Sequence, residues 1–147
     1  MNFAADDSDS ERLFRDLFIS YLSAERPVKN TSTPVVVTVD PVLINLLGIE
    51  EVDEAVTANF WMRQYWVDEH LTWDPSKYGG RSEIHVPISM VWLPDIIIYN
   101  NLRLVDHVKE EQLYVKVWNT GEVAFLFPTI YEISCELDIK YFPFDMQ

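Results

Sequence analysis

The thiol and imidazole groups that enzymes most often use as nucleophiles, bases and metal ligands are few in this sequence: one cysteine and three histidines. His70, His85 and His107 are far apart and lack the short spacing of a metal site. Cys135 has no basic residue placed beside it and lies in an apolar alternating segment, where a thiol is normally inert. No glycine-rich phosphate loop or nucleophile-elbow serine is present. We therefore expect no enzymatic activity, no bound metal and no cofactor.

Aromatic side chains offer a different chemistry, because five tryptophans, seven tyrosines and eight phenylalanines make up 14% of the chain. Tryptophan and tyrosine rings attract quaternary or protonated amines, by about 0.5–2 kcal/mol per ring depending on desolvation. Aromatic residues also fill the cores and interfaces of β-sheet proteins. Composition alone leaves both an aromatic cage for a cation and ordinary packing open.

The charge balance excludes one class of partner. The chain carries 24 acidic and 11 basic side chains, a net charge of −13, with no basic stripe for phosphate binding, so we expect no nucleic-acid partner. A cationic ligand or calcium is compatible with this charge, but so is a simple solvated acidic surface. No apolar run reaches the roughly 18–20 residues of a membrane span, and the start of the sequence does not have the pattern of a signal peptide. Asn30, in Asn30-Thr31-Ser32, is a candidate glycosylation acceptor.

The N-terminal part predicts an acidic tail over residues 1–10 and then a helix. Ser8 and Glu11 have the spacing of a capping box. Pro27 forbids continuation of the helix. Apolar residues recur at helical spacing between these points and predict a helix lying on the end of a larger body: Leu13, Phe14, Leu17, Phe18, Tyr21 and Leu22.

From Pro34 onward the pattern is typical of β-strands. In the segment 57–73, alternation places two sets of side chains on opposite faces: Phe60, Met62, Gln64 and Trp66 on one, and Trp61, Arg63, Tyr65 and Val67 on the other. Trp61 and Trp66 cannot both belong to one core layer, so one of them meets a second surface. Residues 113–117 and 123–127 predict a hairpin with Gly121 in its turn.

Two further patterns complete the β prediction. Alternation places Cys135 on the apolar side of a half-exposed strand, together with Ile133, Leu137 and Ile139. Prolines are expected at turns between strands, at positions 75, 87, 94, 128 and 143. The sequence predicts a mainly β fold in one domain: an N-terminal α-helix followed by an antiparallel immunoglobulin-like β-sandwich.

Three motifs stand in order along the chain: WVDEHLTWDP at 66–75, VWLPDIIIYNN at 91–101, and Cys135 followed by YFPFDMQ at 141–147. Together they resemble the extracellular ligand-binding domain of Cys-loop neurotransmitter-gated ion channels, and are most similar to nicotinic acetylcholine receptor subunits. The resemblance covers residues 11–147. It implies a homo- or hetero-pentamer that binds an acetylcholine-like cation in an aromatic cage between neighbouring subunits.

The resemblance assigns four residues to that cage. Tyr99 matches the tyrosine of the principal face, and Trp61 matches the tryptophan of the complementary face. Ala124 and Leu126 align with variable positions of the complementary face. For Tyr99 the alternative is a tyrosine that caps a strand end, and for Trp61, Ala124 and Leu126 it is plain packing on the sheet.

The resemblance also implies a disulfide between Cys135 and a second cysteine that would follow Gln147, so the sequence resembles a domain cut inside its Cys loop, an incomplete sandwich. Membrane attachment would come from helices beyond this chain, and the full-length subunit would lie in the postsynaptic membrane. Signal coupling is assigned to two loops: Phe142, Pro143 and Phe144 in one, and Glu51 and Val52 in the other. Phe144 favours cation-selective members of the family.

Other functions remain open at this point. The chain could be a soluble acetylcholine-binding type of protein, which would lack four apolar spans downstream. It could be a truncated regulatory subunit that joins pentamers and silences them, which co-expression would reveal as loss of current. A carbohydrate-binding module would use its aromatic residues on sugars, and sugars would then quench its tryptophan fluorescence where choline analogues do not.

Overall fold

Six antiparallel strands form one sheet in the computed structural model, which describes residues 7–107 and 112–136. The strands follow an N-terminal helix, α1 (Asp7–Phe18): β1 (Thr38–Glu50), β2 (Ala55–Val67), β3 (Glu83–Pro87), β4 (Asn101–His107), β5 (Tyr114–Trp118) and β6 (Glu122–Ser134). Short 3₁₀ helices lie at Pro75–Lys77 and Ile88–Met90. The predicted mainly β class, with a leading helix and an antiparallel sheet, is confirmed, and the described residues contribute a single sheet of the expected sandwich.

Strand β6 organises the sheet, whose order is β1-β2-β6-β5-β3. One edge of β6 pairs with β2 along its whole length. The other edge pairs with β5 over Val123–Phe125 and with β4 over Thr129–Ile133. Two different strands thus share one side of β6.

Strand β2 confirms the alternation predicted from its sequence. Met62, Gln64 and Trp66 are buried, whereas Trp61 and Tyr65 on the opposite face are exposed. The buried face of the sheet packs against α1 through Leu13, which is fully buried. Burial of a leucine side chain contributes about 1.5–3 kcal/mol. The rest of this core is mostly aliphatic: Trp66, Leu71, Ile84, Val86, Ile88, Val91, Val115, Val117, Val123 and Phe125.

The helix differs from its prediction at both ends. It begins at Asp7, so Ser8 lies inside it and not at the cap. It ends at Phe18, well before Pro27, and Tyr21 therefore lies in the irregular segment that follows. Tyr21 still packs against the core, because its ring makes an edge contact with Phe18 at 5.5 Å between centroids. The apolar stripe thus continues from the helix into the segment beyond it.

Two predictions about strand positions were wrong. Cys135 is exposed and lies beyond the end of β6, where its N–H donates to the Glu54 carbonyl oxygen at 2.8 Å, so no apolar face covers it. Pro128 lies inside β6, opposite Trp61, and not in a turn. It stands between the part of β6 that pairs with β5 and the part that pairs with β4. Leu137, Ile139 and Pro143 lie outside the described residues.

Strand β1 forms one edge of the sheet and leaves much apolar surface exposed. Five of its aliphatic side chains are about half exposed: Leu43, Ile44, Leu46, Leu47 and Ile49. A long edge strand with exposed apolar side chains is prone to pair with further chain or to aggregate.

A buried hydrogen-bond network joins the segment after α1 to the end of β2. The Tyr21 hydroxyl donates to Oδ2 of Asp68 at 2.6 Å and accepts from the Trp92 N–H at 2.9 Å. Asp68 is fully buried, and its Oδ1 accepts from the His70 N–H at 2.9 Å. Burial and the bond to Asp68 raise the pKa of Tyr21 far above its ordinary value.

We expect Tyr21→Phe to lower the free energy of unfolding by about 1–3 kcal/mol, because it leaves a buried Asp68 oxygen without its donor. The pKa of Tyr21 is raised in the folded state. The contribution of the protonated hydroxyl to the free energy of unfolding is therefore complete below the pKa of the unfolded state, near 10, and is lost as the pH rises above that value. Urea unfolding at a series of pH values measures both effects. Tyr78→Phe is the matched control, because the Tyr78 hydroxyl bonds to the exposed Asp16 at 2.9 Å. Equal effects of the two changes would contradict a structural role for the Tyr21 network.

Candidate functional site

The face of the sheet opposite the core, here called the outer face, carries three of the four predicted cage residues. In β2 and β6 the cross-strand partners are Trp61 with Pro128, Arg63 with Leu126, and Tyr65 with Ala124. Directly opposite residues of an antiparallel pair project to the same side of the sheet. The register therefore brings Trp61, Leu126 and Ala124 onto one face.

These three residues differ in the surface that they offer. Trp61 is 38% exposed and Leu126 is 39% exposed, so an indole ring and an aliphatic side chain lie open beside each other. Ala124 is only 3% exposed, because its methyl group lies between its longer partners Tyr65 and Lys116. Trp61 and Leu126 can contact a ligand directly, whereas Ala124 contributes at most the floor between its neighbours.

Two basic side chains also lie on the outer face, and each is paired with an acid. Arg63 forms an ion pair with Asp40 of β1. The Lys116 ammonium lies 2.7 Å from Oε2 of Glu83, and 4.9 Å from the centroid of the Trp118 ring. Sequence alternation predicted the position of Arg63, but the place of Lys116 beside Ala124 depends on the β5–β6 register, which sequence reasoning did not define. Pairing leaves little free positive charge to repel a cation at Trp61.

Tyr99, the fourth predicted cage residue, lies elsewhere. Its side chain is fully exposed, just before β4, which begins at Asn101 opposite Ile133 of β6. Trp61 lies opposite Pro128, five residues away along β6. At about 3.3–3.4 Å per residue, Trp61 and the start of β4, which Tyr99 precedes, are separated by about 17 Å along the strand direction alone. One chain therefore does not bring Trp61 and Tyr99 into a common cage.

The end of the sheet near Tyr99 also carries part of the predicted coupling region. Glu51 and Val52 lie in the exposed turn between β1 and β2, and Val52 is 96% exposed. The carbonyl oxygen of Glu54, at the end of the same turn, accepts the Cys135 N–H. The coupling turn and Cys135 are thus held together, whereas Phe142, Pro143 and Phe144 lie outside the described residues.

The predicted glycosylation acceptor lies on the surface. Asn30 is exposed in the segment between α1 and β1, and its Oδ1 accepts the Ser32 N–H at 3.0 Å. An exposed turn of this kind is accessible to a modifying enzyme.

Residues 7–107 and 112–136 contain no group of three or more histidine, cysteine or acidic side chains that could hold a metal ion. His70, His85 and His107 lie on separate elements, with His85 in β3 and His107 in β4. The same residues contain no helix that is both long and apolar enough to cross a membrane.

Known proteins are similar to this chain over most of its length. The family model of the neurotransmitter-gated ion-channel ligand-binding domain matches residues 10–147. Acetylcholine receptor subunit alpha-1-A of Xenopus laevis is 43% identical over 139 residues, which are 95% of this chain and 30% of the relative. Acetylcholine receptor subunit alpha-L1 of Schistocerca gregaria is 38% identical over 98% of this chain and 26% of the relative.

A human relative, neuronal acetylcholine receptor subunit alpha-3, is 39% identical over 92% of this chain and 27% of its own length. The chain thus spans only 26–30% of the length of these three relatives. Subunits of this kind are receptors and not enzymes, in agreement with the scarcity of nucleophiles and bases. The match of the family model over nearly all of the sequence shows that the chain belongs to the family of neurotransmitter-gated ion-channel ligand-binding domains.

Proposed function

We propose that this chain is part of a subunit of an acetylcholine-type, cation-selective channel and supplies two separate halves of agonist sites. One half is the outer face around Trp61 and Leu126, which would act as the complementary side. The other is the region around Tyr99, which would act on the principal side. The observation that carries this proposal is the separation of the exposed Trp61 from the start of β4, beside the exposed Tyr99, by about 17 Å along the strands.

A site between subunits follows from this separation. Trp61 would meet the Tyr99 side of the next subunit around a closed ring, since a heterologous contact that closes generates a cyclic assembly. The open Trp61 ring and the Tyr99 ring and hydroxyl would then face one ligand from two directions. Ala124, beside Leu126 on the same face of β6, would be part of the floor. The assembly proposed is a pentamer of homologous subunits.

A cationic ligand fits the chemistry of these surfaces. Aromatic faces attract quaternary ammonium groups, and the attraction increases when the site is closed to water. The net charge of −13 attracts cations over a longer range. The ion pairs of Arg63 and Lys116 neutralise the basic groups near Trp61. An acetylcholine-like neurotransmitter is the ligand that we propose.

Coupling to the pore is proposed for the end of the sheet near Tyr99. Val52, almost fully exposed in the β1–β2 turn, would contact the membrane domain together with Phe142, Pro143 and Phe144. Cys135, which is hydrogen-bonded to the same turn, would be disulfide-bonded to a cysteine outside this chain. The domain would lie on the extracellular side of the postsynaptic membrane, with a glycan on Asn30.

We expect Val52→Asp, in an assembled receptor that carries this chain, to reduce the maximal agonist-evoked current at least about threefold, because a charge replaces an exposed apolar contact. Agonist binding should change by less than about twofold, since Val52 lies far from Trp61. Recordings of current and ligand binding on the same cells separate the two effects. Asp53→Asn, in the same exposed turn, is the control for a change of charge. A normal maximal current in Val52→Asp would exclude Val52 from coupling.

The experiment for the function itself uses a chimera in which residues 10–147 replace the matching segment of the locust alpha-L1 subunit. We expect acetylcholine to evoke a cation current in cells that express it. Acetylcholine binding without current would favour a soluble binding type of protein or a regulatory subunit. Correct assembly without acetylcholine binding would contradict the proposal.

A further inference from the structure

A second concave site lies on the outer face, away from Trp61. It is a groove of about 400 Å³ between the start of β1 and the β5–β6 hairpin. Tyr65, at its centre, is four residues from Trp61 along β2, or about 13 Å. Side chains and backbone from four segments line it: Val36, Thr38, Tyr65, Trp66, Val67, Trp118, Glu122 and Val123. This volume falls within the range of small-molecule sites.

The strand register explains why the groove is aromatic. Thr38 lies opposite Tyr65, and Val67 lies opposite Glu122, so these four side chains share the outer face. Tyr65 is 37% exposed and presents part of its ring to solvent. Trp118 closes the other side from β5. Two rings and an aliphatic side chain thus surround a single carboxylate.

One of the two rings of the groove already contacts a cationic side chain. The Lys116 ammonium lies 4.9 Å from the centroid of the Trp118 ring, within the range of a cation–π contact. Lys116 is also bound to Glu83, which leaves the carboxylate of Glu122 free of that lysine. The contact that Glu122 makes within its own hairpin is with the Thr120 hydroxyl, which donates to Oε2 at 3.2 Å. A carboxylate beside the exposed ring of Tyr65 and the half-buried ring of Trp118 suits a small organic cation.

We propose that this groove binds a small organic ammonium ion, through the rings of Tyr65 and Trp118 and the charge of Glu122. The site is built by one chain, so it requires neither a neighbouring subunit nor the proposed agonist site at Trp61. Its ligand class is a quaternary or protonated aliphatic amine of about the size of choline.

The experiment uses the ¹⁵N-labelled 147-residue chain and two probes of nearly equal shape, choline and its neutral carbon analogue 3,3-dimethylbutan-1-ol. The indole N–H resonance of Trp118 is assigned by its absence from Trp118→Phe, and that of Trp61 by its absence from Trp61→Phe. We expect choline to shift the Trp118 resonance saturably, with an affinity at least about fivefold higher than that of the neutral analogue.

A charge-removing variant tests the role of the carboxylate. Glu122→Gln should weaken choline binding by about three- to tenfold and leave binding of the neutral analogue unchanged. Glu50→Gln, at the far end of β1, removes the same charge away from the groove and should change choline binding less than about twofold. Both side chains are exposed, so neither change should affect folding. Three results would each overturn the proposal: equal binding of the two probes, no effect of Glu122→Gln, or a shift confined to the Trp61 resonance.

Discussion

Replacing Trp61 by alanine is expected to raise the acetylcholine concentration for half-maximal current about tenfold in the alpha-L1 chimera. Loss of one ring from an aromatic cage removes up to about 2 kcal/mol of cation–π attraction, and 1.4 kcal/mol corresponds to a factor of ten. Tyr99→Ala should act in the same direction, because the proposed cage takes one ring from each side of the interface. Concentration–response curves for the two variants measure both effects.

Tyr65→Ala is the matched control for Trp61. Both residues lie on the outer face of β2, and their exposed fractions are nearly equal, at 37% and 38%. Loss of an exposed aromatic residue from this strand should by itself shift the curve less than about twofold. If Trp61→Ala and Tyr65→Ala shifted the curve equally, the effect would belong to the strand in general, and Trp61 would have no special role.

The largest effect on stability is expected at Gly121, in the β5–β6 hairpin. Its φ is +89°, and a Cβ at this position would lie 2.5 Å from the Asp68 carbonyl oxygen. The Gly121 carbonyl also accepts the Asp68 N–H at 2.8 Å, so the two backbones cannot separate without loss of that bond. We expect Gly121→Ala to lower the free energy of unfolding by about 3 kcal/mol or more, as measured by urea unfolding.

Gly80→Ala separates the two causes of that loss. Gly80 has a similar φ of +80°, but a Cβ there would meet nothing within 4 Å. Gly80→Ala should therefore lower the free energy of unfolding only by the backbone strain, about 1–2 kcal/mol. The difference between the variants measures the close approach of the hairpin to Asp68. Equal losses for the two variants would show that the hairpin can move away from the Asp68 carbonyl oxygen without a further loss of stability.

Local patterns in the sequence predicted most of the fold. Strict alternation in β2 separated Trp61 from Trp66, because the two faces of this strand meet different environments. The turn signal at Gly121 located the hairpin. Both features depend on neighbours in sequence, and for that reason they could be read without the structure.

Features that depend on distant parts of the chain could not be read in this way. The exposure of Cys135 depends on where β6 ends and on its bond to Glu54. Pro128 lies inside β6, where one edge of the strand passes from its pairing with β5 to its pairing with β4. The burial of Ala124 depends on its partners Tyr65 and Lys116, and the groove at Trp118 depends on the same long-range register. The cage residues themselves were predicted by resemblance, and their separation became apparent only from the pairing of β2, β4 and β6.

Complementation between two variants with weakened binding tests the central claim most directly. The chimera with Trp61→Ala and the chimera with Tyr99→Ala are expressed separately and together, and binding of labelled acetylcholine is measured on the assembled receptors. The unmodified chimera, expressed as the only subunit, must bind the label, which shows that copies of this chain form sites with one another.

In a mixed assembly, some interfaces join the intact Trp61 of one subunit to the intact Tyr99 of its neighbour. We therefore expect co-expression to restore high-affinity binding at a fraction of the sites, while each variant alone binds about tenfold more weakly. If co-expression restored no high-affinity binding, Trp61 and Tyr99 would not meet across an interface, and the proposed site between subunits would be wrong.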